Sequence, residues 1–187
     1  FRTSALAFFP DGRMAVCTHG GDVWIVSGVD DYLANLKWKR FAAGMYEPFG
    51  LQVIDGLVYV TCKDRLTRLH DLNDDGEADF YESFSADDDV STFFHAFNFD
   101  LQRDTQGNLY YAKSGQYTSY ALPGSVIKVS ADGKKRTRPL YTSDAADAPI
   151  RSAFCARRTV DHILPKEKST DETTGRKVNS LSTLERT

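Results

Sequence analysis

Short apolar runs alternate with turn signals along most of the chain. Ser4-Ala5-Leu6-Ala7-Phe8-Phe9 reads as a strand closed by Pro10-Asp11-Gly12. Residues 13–18 and 22–26 follow as strands, separated by His19-Gly20-Gly21. Apolar and basic residues alternate through Leu36-Lys37-Trp38-Lys39-Arg40-Phe41, which predicts a fourth strand, with one helical turn expected over 29–35. The pattern then recurs. Residues 48–54 lead to Asp55-Gly56, then to strands over 57–62, 65–70 and 79–84. A third copy runs through 95–104, a turn at Gln106-Gly107, and strands over 109–113, 124–130 and 136–141.

Four short strands recurring about every 40 to 50 residues are the sequence mark of a β-propeller, in which each blade buries its faces against its neighbours. The predicted fold is therefore all-β: a partial propeller of about three four-stranded blades over 4–42, 48–84 and 95–141. Three blades do not close a ring, and six is the expected number for this type. The chain opens at Phe1 with neither methionine nor signal peptide, and is read as a segment of a longer gene product.

From about residue 142 the pattern stops. Every aromatic residue except Phe154 precedes Asp144, and the remainder is rich in Lys, Arg, Thr and Ser. Leu140-Tyr141-Thr142-Ser143-Asp144-Ala145-Ala146-Asp147 resembles the translation of a sequencing adapter. Two readings of 142–187 stay open: a disordered extension, or sequence foreign to this protein.

A net charge of −3 without a basic stripe argues against a nucleic-acid partner. No apolar run is long enough to span a membrane. The three cysteines form neither a disulfide framework nor a metal cluster, and Cys17 and Cys62, in apolar runs, are expected as buried thiols. No Cys-x-x-Cys-His attaches a haem here.

The strongest chemical signal is Asp71-Leu72-Asn73-Asp74-Asp75-Gly76-Glu77-Ala78-Asp79-Phe80-Tyr81-Glu82. Oxygen-bearing side chains fall at its positions 1, 3, 5, 9 and 12, with glycine at 6, the ligand spacing of an EF-hand calcium loop. Asp71, Asn73, Asp75, Asp79 and Glu82 are the candidate side-chain ligands, and Glu77 offers its carbonyl. Glu82 is the least secure, because on a strand it can point away. The flanks read as strands, so the loop is placed as the turn between the two outer strands of the second blade, bracing it rather than switching it. The competing explanation is a solvated acidic turn, since Asp, Asn and Gly favour turns without any metal.

Taken together, Asp22-Val23-Trp24-Ile25-Val26, residues 36–41, Tyr46-Glu47-Pro48-Phe49-Gly50-Leu51, residues 66–81 and residues 95–113 resemble the propeller of large membrane-bound dehydrogenases of planctomycete type. More distantly they are similar to soluble glucose/sorbosone dehydrogenases. The second resemblance implies a six-bladed, exported, calcium-dependent protein that uses pyrroloquinoline quinone (PQQ). It implies a sugar or alcohol substrate and a periplasmic or cell-surface location. The first implies a haem-binding cytochrome domain elsewhere in the full-length protein. In the sugar dehydrogenases a histidine opens an inner strand before an Asp/Gly turn and an aromatic pair. His95, Leu101, Gly107, Tyr110 and Tyr111 approximate that order, with His95 about one residue out of register. His95 is thereby the candidate general base, taking a hydroxyl proton as hydride leaves a sugar carbon. Its alternative is a histidine satisfied in the channel wall among Phe93, Phe94 and Phe97. Tyr110, Tyr111 and Lys113 are expected on an inner strand, lining the channel or packing between blades, and Asp87-Asp88-Asp89 as a solvated loop face. A non-catalytic, calcium-braced propeller that binds carbohydrate or protein remains the competing function.

Overall fold

The computed structural model describes residues 2–87, 90–91, 96–114 and 124–141. Twelve strands form three four-stranded antiparallel meanders, each ordered as the chain runs. The first holds β1 (Thr3–Phe8), β2 (Met14–Thr18), β3 (Val23–Ser27) and β4 (Lys37–Ala42). The second holds β5 (Gly50–Ile54), β6 (Leu57–Thr61), β7 (Arg65–His70) and β8 (Phe80–Ala86). The third holds β9 (Asn98–Arg103), β10 (Leu109–Lys113), β11 (Ser125–Val129) and β12 (Arg136–Tyr141). Each sheet is one of the expected blades, and the first strands lie side by side, β1 against β5 and β5 against β9. That arrangement of meanders around their first strands is a partial propeller.

Turn chemistry fixes the registers. β5 and β6 are joined by Asp55-Gly56 alone, with Ile54 opposite Leu57. Both turn residues have positive φ (52° and 81°), as a type I′ hairpin requires. The cores lie between the blades. Ala15, Cys17, Val23 and Ala42 of the first blade meet Leu51, Val58, Val60 and Leu69 of the second. Ile54, Tyr59 and Leu66 of the second meet Leu101, Leu109, Tyr111, Ile127 and Val129 of the third. Each fully buried aliphatic side chain contributes about 1.5–3 kcal/mol, so these two seams hold the blades together.

At its inner edge the second seam is tighter still. A parallel bridge joins Phe49 to Phe99, and the Asp100 N–H donates to the Phe49 carbonyl (3.1 Å). A Cβ on Gly50 would lie 2.1 Å from the Asp100 carbonyl oxygen, so only glycine allows β5 and β9 to approach this closely.

Two expectations are corrected. Residues 29–35 form turns rather than a helical turn, anchored by Asp30 Oδ1, which accepts from the N–H groups of Tyr32 (3.1 Å) and Leu33 (2.6 Å). The aspartate side chain supplies an alternative to the helical bond, which is why such residues favour turns. Tyr110, Tyr111 and Lys113 lie on the second strand of their blade, not the innermost, which is β9.

Candidate functional site

Successive connections in an antiparallel meander alternate between its two ends. Residues 71–79, between β7 and β8, therefore share an end of the second blade with the Asp55-Gly56 turn. The β6–β7 turn and the segment leading into β5 share the opposite end.

The acidic loop is organised by its own carboxylates. Asp71 accepts from the N–H of Asp75 through Oδ1 (3.2 Å) and from that of Gly76 through Oδ2 (2.8 Å). Asn73 Oδ1 also accepts from Asp75 N–H (3.0 Å), and Asp75 Oδ1 accepts from Glu77 N–H (2.8 Å). Asp79 Oδ2 accepts from Leu72 N–H (2.8 Å) across the loop. Asp74 and Gly76 take left-handed backbone conformations, φ 58° and 82°, which turn the chain tightly enough for these bonds. Asp71, Asn73, Asp75 and Asp79 are thus joined by loop hydrogen bonds, and Glu77 joins them through its backbone. Among the described residues, no group of three or more His, Cys, Asp or Glu side chains is assembled as a ready-made metal centre.

Glu82 is held elsewhere. It stands directly opposite Arg68 across the β7–β8 pair, and strand geometry rather than an exiting helix decides where it points. Arg68 donates to both its oxygens (Nε 2.7 Å, Nη2 2.9 Å), and His70 Nε2 lies 2.7 Å from Oε2. Arg68 also donates to the Tyr59 hydroxyl (3.0 Å). The Arg68 hydrogen bonds lower the Glu82 pKa, and the same contact raises that of Arg68. The structure therefore groups Glu82 with Arg68 and His70 instead of with the loop oxygens.

The opposite end of the blades carries a second constellation that the sequence pattern did not single out. His19, Phe49 and Phe97 come from three different blades or the segments leading into them. Their ring centroids lie 5.4 Å (His19–Phe49), 5.8 Å (His19–Phe97) and 4.4 Å (Phe49–Phe97) apart. Lys63, almost wholly buried, places Nζ 2.8 Å from Glu47 and 5.3 Å from the Phe97 ring centroid. Asn98 donates to the carbonyls of Cys62 (2.8 Å) and Lys63 (3.2 Å), tying the third blade to the end of β6.

Asp87, expected on a solvated face, is buried: Lys113 Nζ and Arg136 Nη1 each lie 2.7 Å from its carboxylate. A carboxylate so placed needs both cations, because an unpaired buried charge is costly. Asp88, Asp89 and His95 lie outside the described residues. Register counting from the β7–β8 hairpin would have exposed the Arg68–Glu82 pair. Nothing local marks the Lys63–Glu47 pair, which joins the β6–β7 turn to the segment leading into β5, or the Asp87 partners, which meet only when the second and third blades stack. The described thiols are inert: burial raises the Cys17 pKa and pushes that of Cys62 up to about 12.

Comparison with solved structures agrees with the fold. The chain is similar to an oxidoreductase named as a glucose dehydrogenase from Thermus thermophilus, with a TM-score of 0.56 and 16% identity over 71% of this chain and 45% of that one. It is similar also to a protein named as a gluconolactonase, with a TM-score of 0.51 and 16% identity over 75% of this chain and 49% of that one. The chain spans about half the length of these structures. At this identity the likeness shows the fold alone, a propeller-type architecture. No family model matches the sequence, and no curated protein is similar to it beyond chance.

Proposed function

We propose that this chain is the propeller part of an exported oxidoreductase that acts on sugars or alcohols and passes electrons to a haem domain, with its second blade braced by calcium. The observation that supports the reading most is the fold likeness to a protein named as a glucose dehydrogenase and another named as a gluconolactonase. In this reading His95 is the base that takes the hydroxyl proton. The described residues do not by themselves fit PQQ, an anionic quinone. Lys63 and Lys113, at the end opposite the acidic loop, and Arg136, at the start of β12, are already held by Glu47 and Asp87, so no step is assigned to that cofactor. Sugar-dependent or alcohol-dependent reduction of an artificial electron acceptor by the full-length protein tests the reading. Sugar binding without any acceptor reduction would favour the non-catalytic propeller, a reading that the pairing of these three cations also favours.

For calcium, the donor chemistry of the acidic loop fits. Asp71, Asn73, Asp75 and Asp79 offer oxygen alone, Glu77 adds a carbonyl, and a hard cation takes 6–8 such oxygens with water completing the set. Glu82, engaged by Arg68 and His70, would have to leave that network to join. Isothermal titration of the full-length protein with calcium is the check. The expected result is heat that Asp71→Ala removes, and no heat at millimolar calcium would exclude the site.

A further inference from the structure

The acidic loop belongs to the second blade by sequence, yet the first blade holds it. The Ala78 N–H donates to the Phe41 carbonyl (2.7 Å), and the Ala43 N–H donates to the Tyr81 hydroxyl (3.0 Å). Ala78 packs into the apolar seam between the two blades, where Phe41 and Ile25 also lie. Lys39, opposite Ile25 on β4, donates its ammonium to the Asp75 carbonyl, and its stem lies across Gly76. A Cβ at Gly76 would come within 3.0 Å of Lys39 Nζ and 3.3 Å of its Cδ. Glycine suits the positive φ there and leaves room for the lysine that crosses it.

Five carboxylates lie in residues 71–79: Asp71, Asp74, Asp75, Glu77 and Asp79. They repel one another at neutral pH, and Lys39 is a cation of another blade bonded to the loop backbone. We infer that Lys39 is the built-in counter-cation of this loop. It clasps the β7–β8 hairpin of the second blade to β4 of the first and sets how strongly the loop takes an added metal. Lys39 offsets part of the loop charge without a metal, so the hairpin docks on β4 in either state. The same positive charge repels an incoming divalent cation, which holds metal affinity down. The clasp stands on the contacts above, whereas the statement about affinity rests on the calcium reading of the loop.

The test compares Lys39→Met with Lys37→Met in the full-length protein. Lys37 is an exposed lysine two residues away on the same strand, so its substitution removes the same charge without touching the loop. In EDTA, hydrogen–deuterium exchange over residues 37–44 and 74–80 should accelerate about five- to tenfold in Lys39→Met and stay at the wild-type rate in Lys37→Met, as expected for a local opening. Calcium titration should show affinity tightened about three- to tenfold in Lys39→Met alone, an effect that shrinks with added salt. Equal exchange in all three proteins overturns the clasp. Equal calcium affinities overturn the affinity-setting role. An absence of calcium heat in every protein sinks the metal reading and that role with it, while the exchange rates still decide the clasp.

Discussion

Arg68, Glu82 and His70 show how one cross-strand register decides the fate of a candidate ligand. Glu82 gains both Arg68 hydrogen bonds only in the folded state, which lowers its pKa below the ordinary carboxylate range. A depressed carboxylate contributes stability that is fully present above its unfolded pKa and is lost as pH falls through the folded one. Glu82→Gln should therefore destabilise the protein at pH 7, by up to about 1 kcal/mol for a pair that solvent partly screens. Wild type and variant should converge as pH drops below the usual carboxylate range. Urea unfolding at pH 7 and pH 3 measures this, and a difference that persists undiminished in acid would contradict the assignment. The loop oxygens at positions 1, 3, 5 and 9 were legible because their spacing is local. Position 12 was not, because its direction depends on pairing with β7, and Glu82 faces Arg68.

Strands were the most legible elements. Alternation and turn residues place all twelve, and Asp55-Gly56 marks a two-residue hairpin by composition alone. Contacts between blades were hidden. Gly50 looks like an ordinary strand residue until β9 is laid against it, with the Asp100 carbonyl where a side chain would begin. Gly50→Ala should force β5 and β9 apart and destabilise the protein by about 1–3 kcal/mol, the usual cost of overpacking. Gly20→Ala provides the reference for adding a Cβ without overpacking, since, as at Gly50, its φ is not positive, and the nearest atom to a Cβ there is Thr18 Oγ1 at 3.9 Å. Thermal unfolding of both variants is the measurement. A Gly50→Ala protein as stable as wild type would mean that the inner strands do not constrain each other. Asp87 teaches the same lesson: three consecutive aspartates read as a solvated run, and one of them proves to be the buried partner of Lys113 and Arg136.

Across the whole molecule, the two ends of the blades separate two questions. The acidic loop lies at one end, where Lys39 and β4 join it to the first blade, so a metal bound there would stiffen the junction of two blades. Chemistry on a sugar belongs, in the proposed reading, to His95 in the sequence between β8 and β9. The propeller was legible as a repeat because every blade reuses the same order of strands and turns. Activity was not, since a fold of this kind hosts enzymes and binding modules alike, and Lys63, Lys113 and Arg136 are spent on Glu47 and Asp87. The most direct measurement of the central claim is the steady-state rate of sugar-dependent or alcohol-dependent acceptor reduction by the full-length protein and its His95→Gln variant, with folding matched by thermal unfolding. Loss of a general base predicts a fall in kcat of about a hundredfold or more, with the melting temperature unchanged. Equal rates in the two proteins, or no substrate-dependent reduction by the wild type, would contradict it.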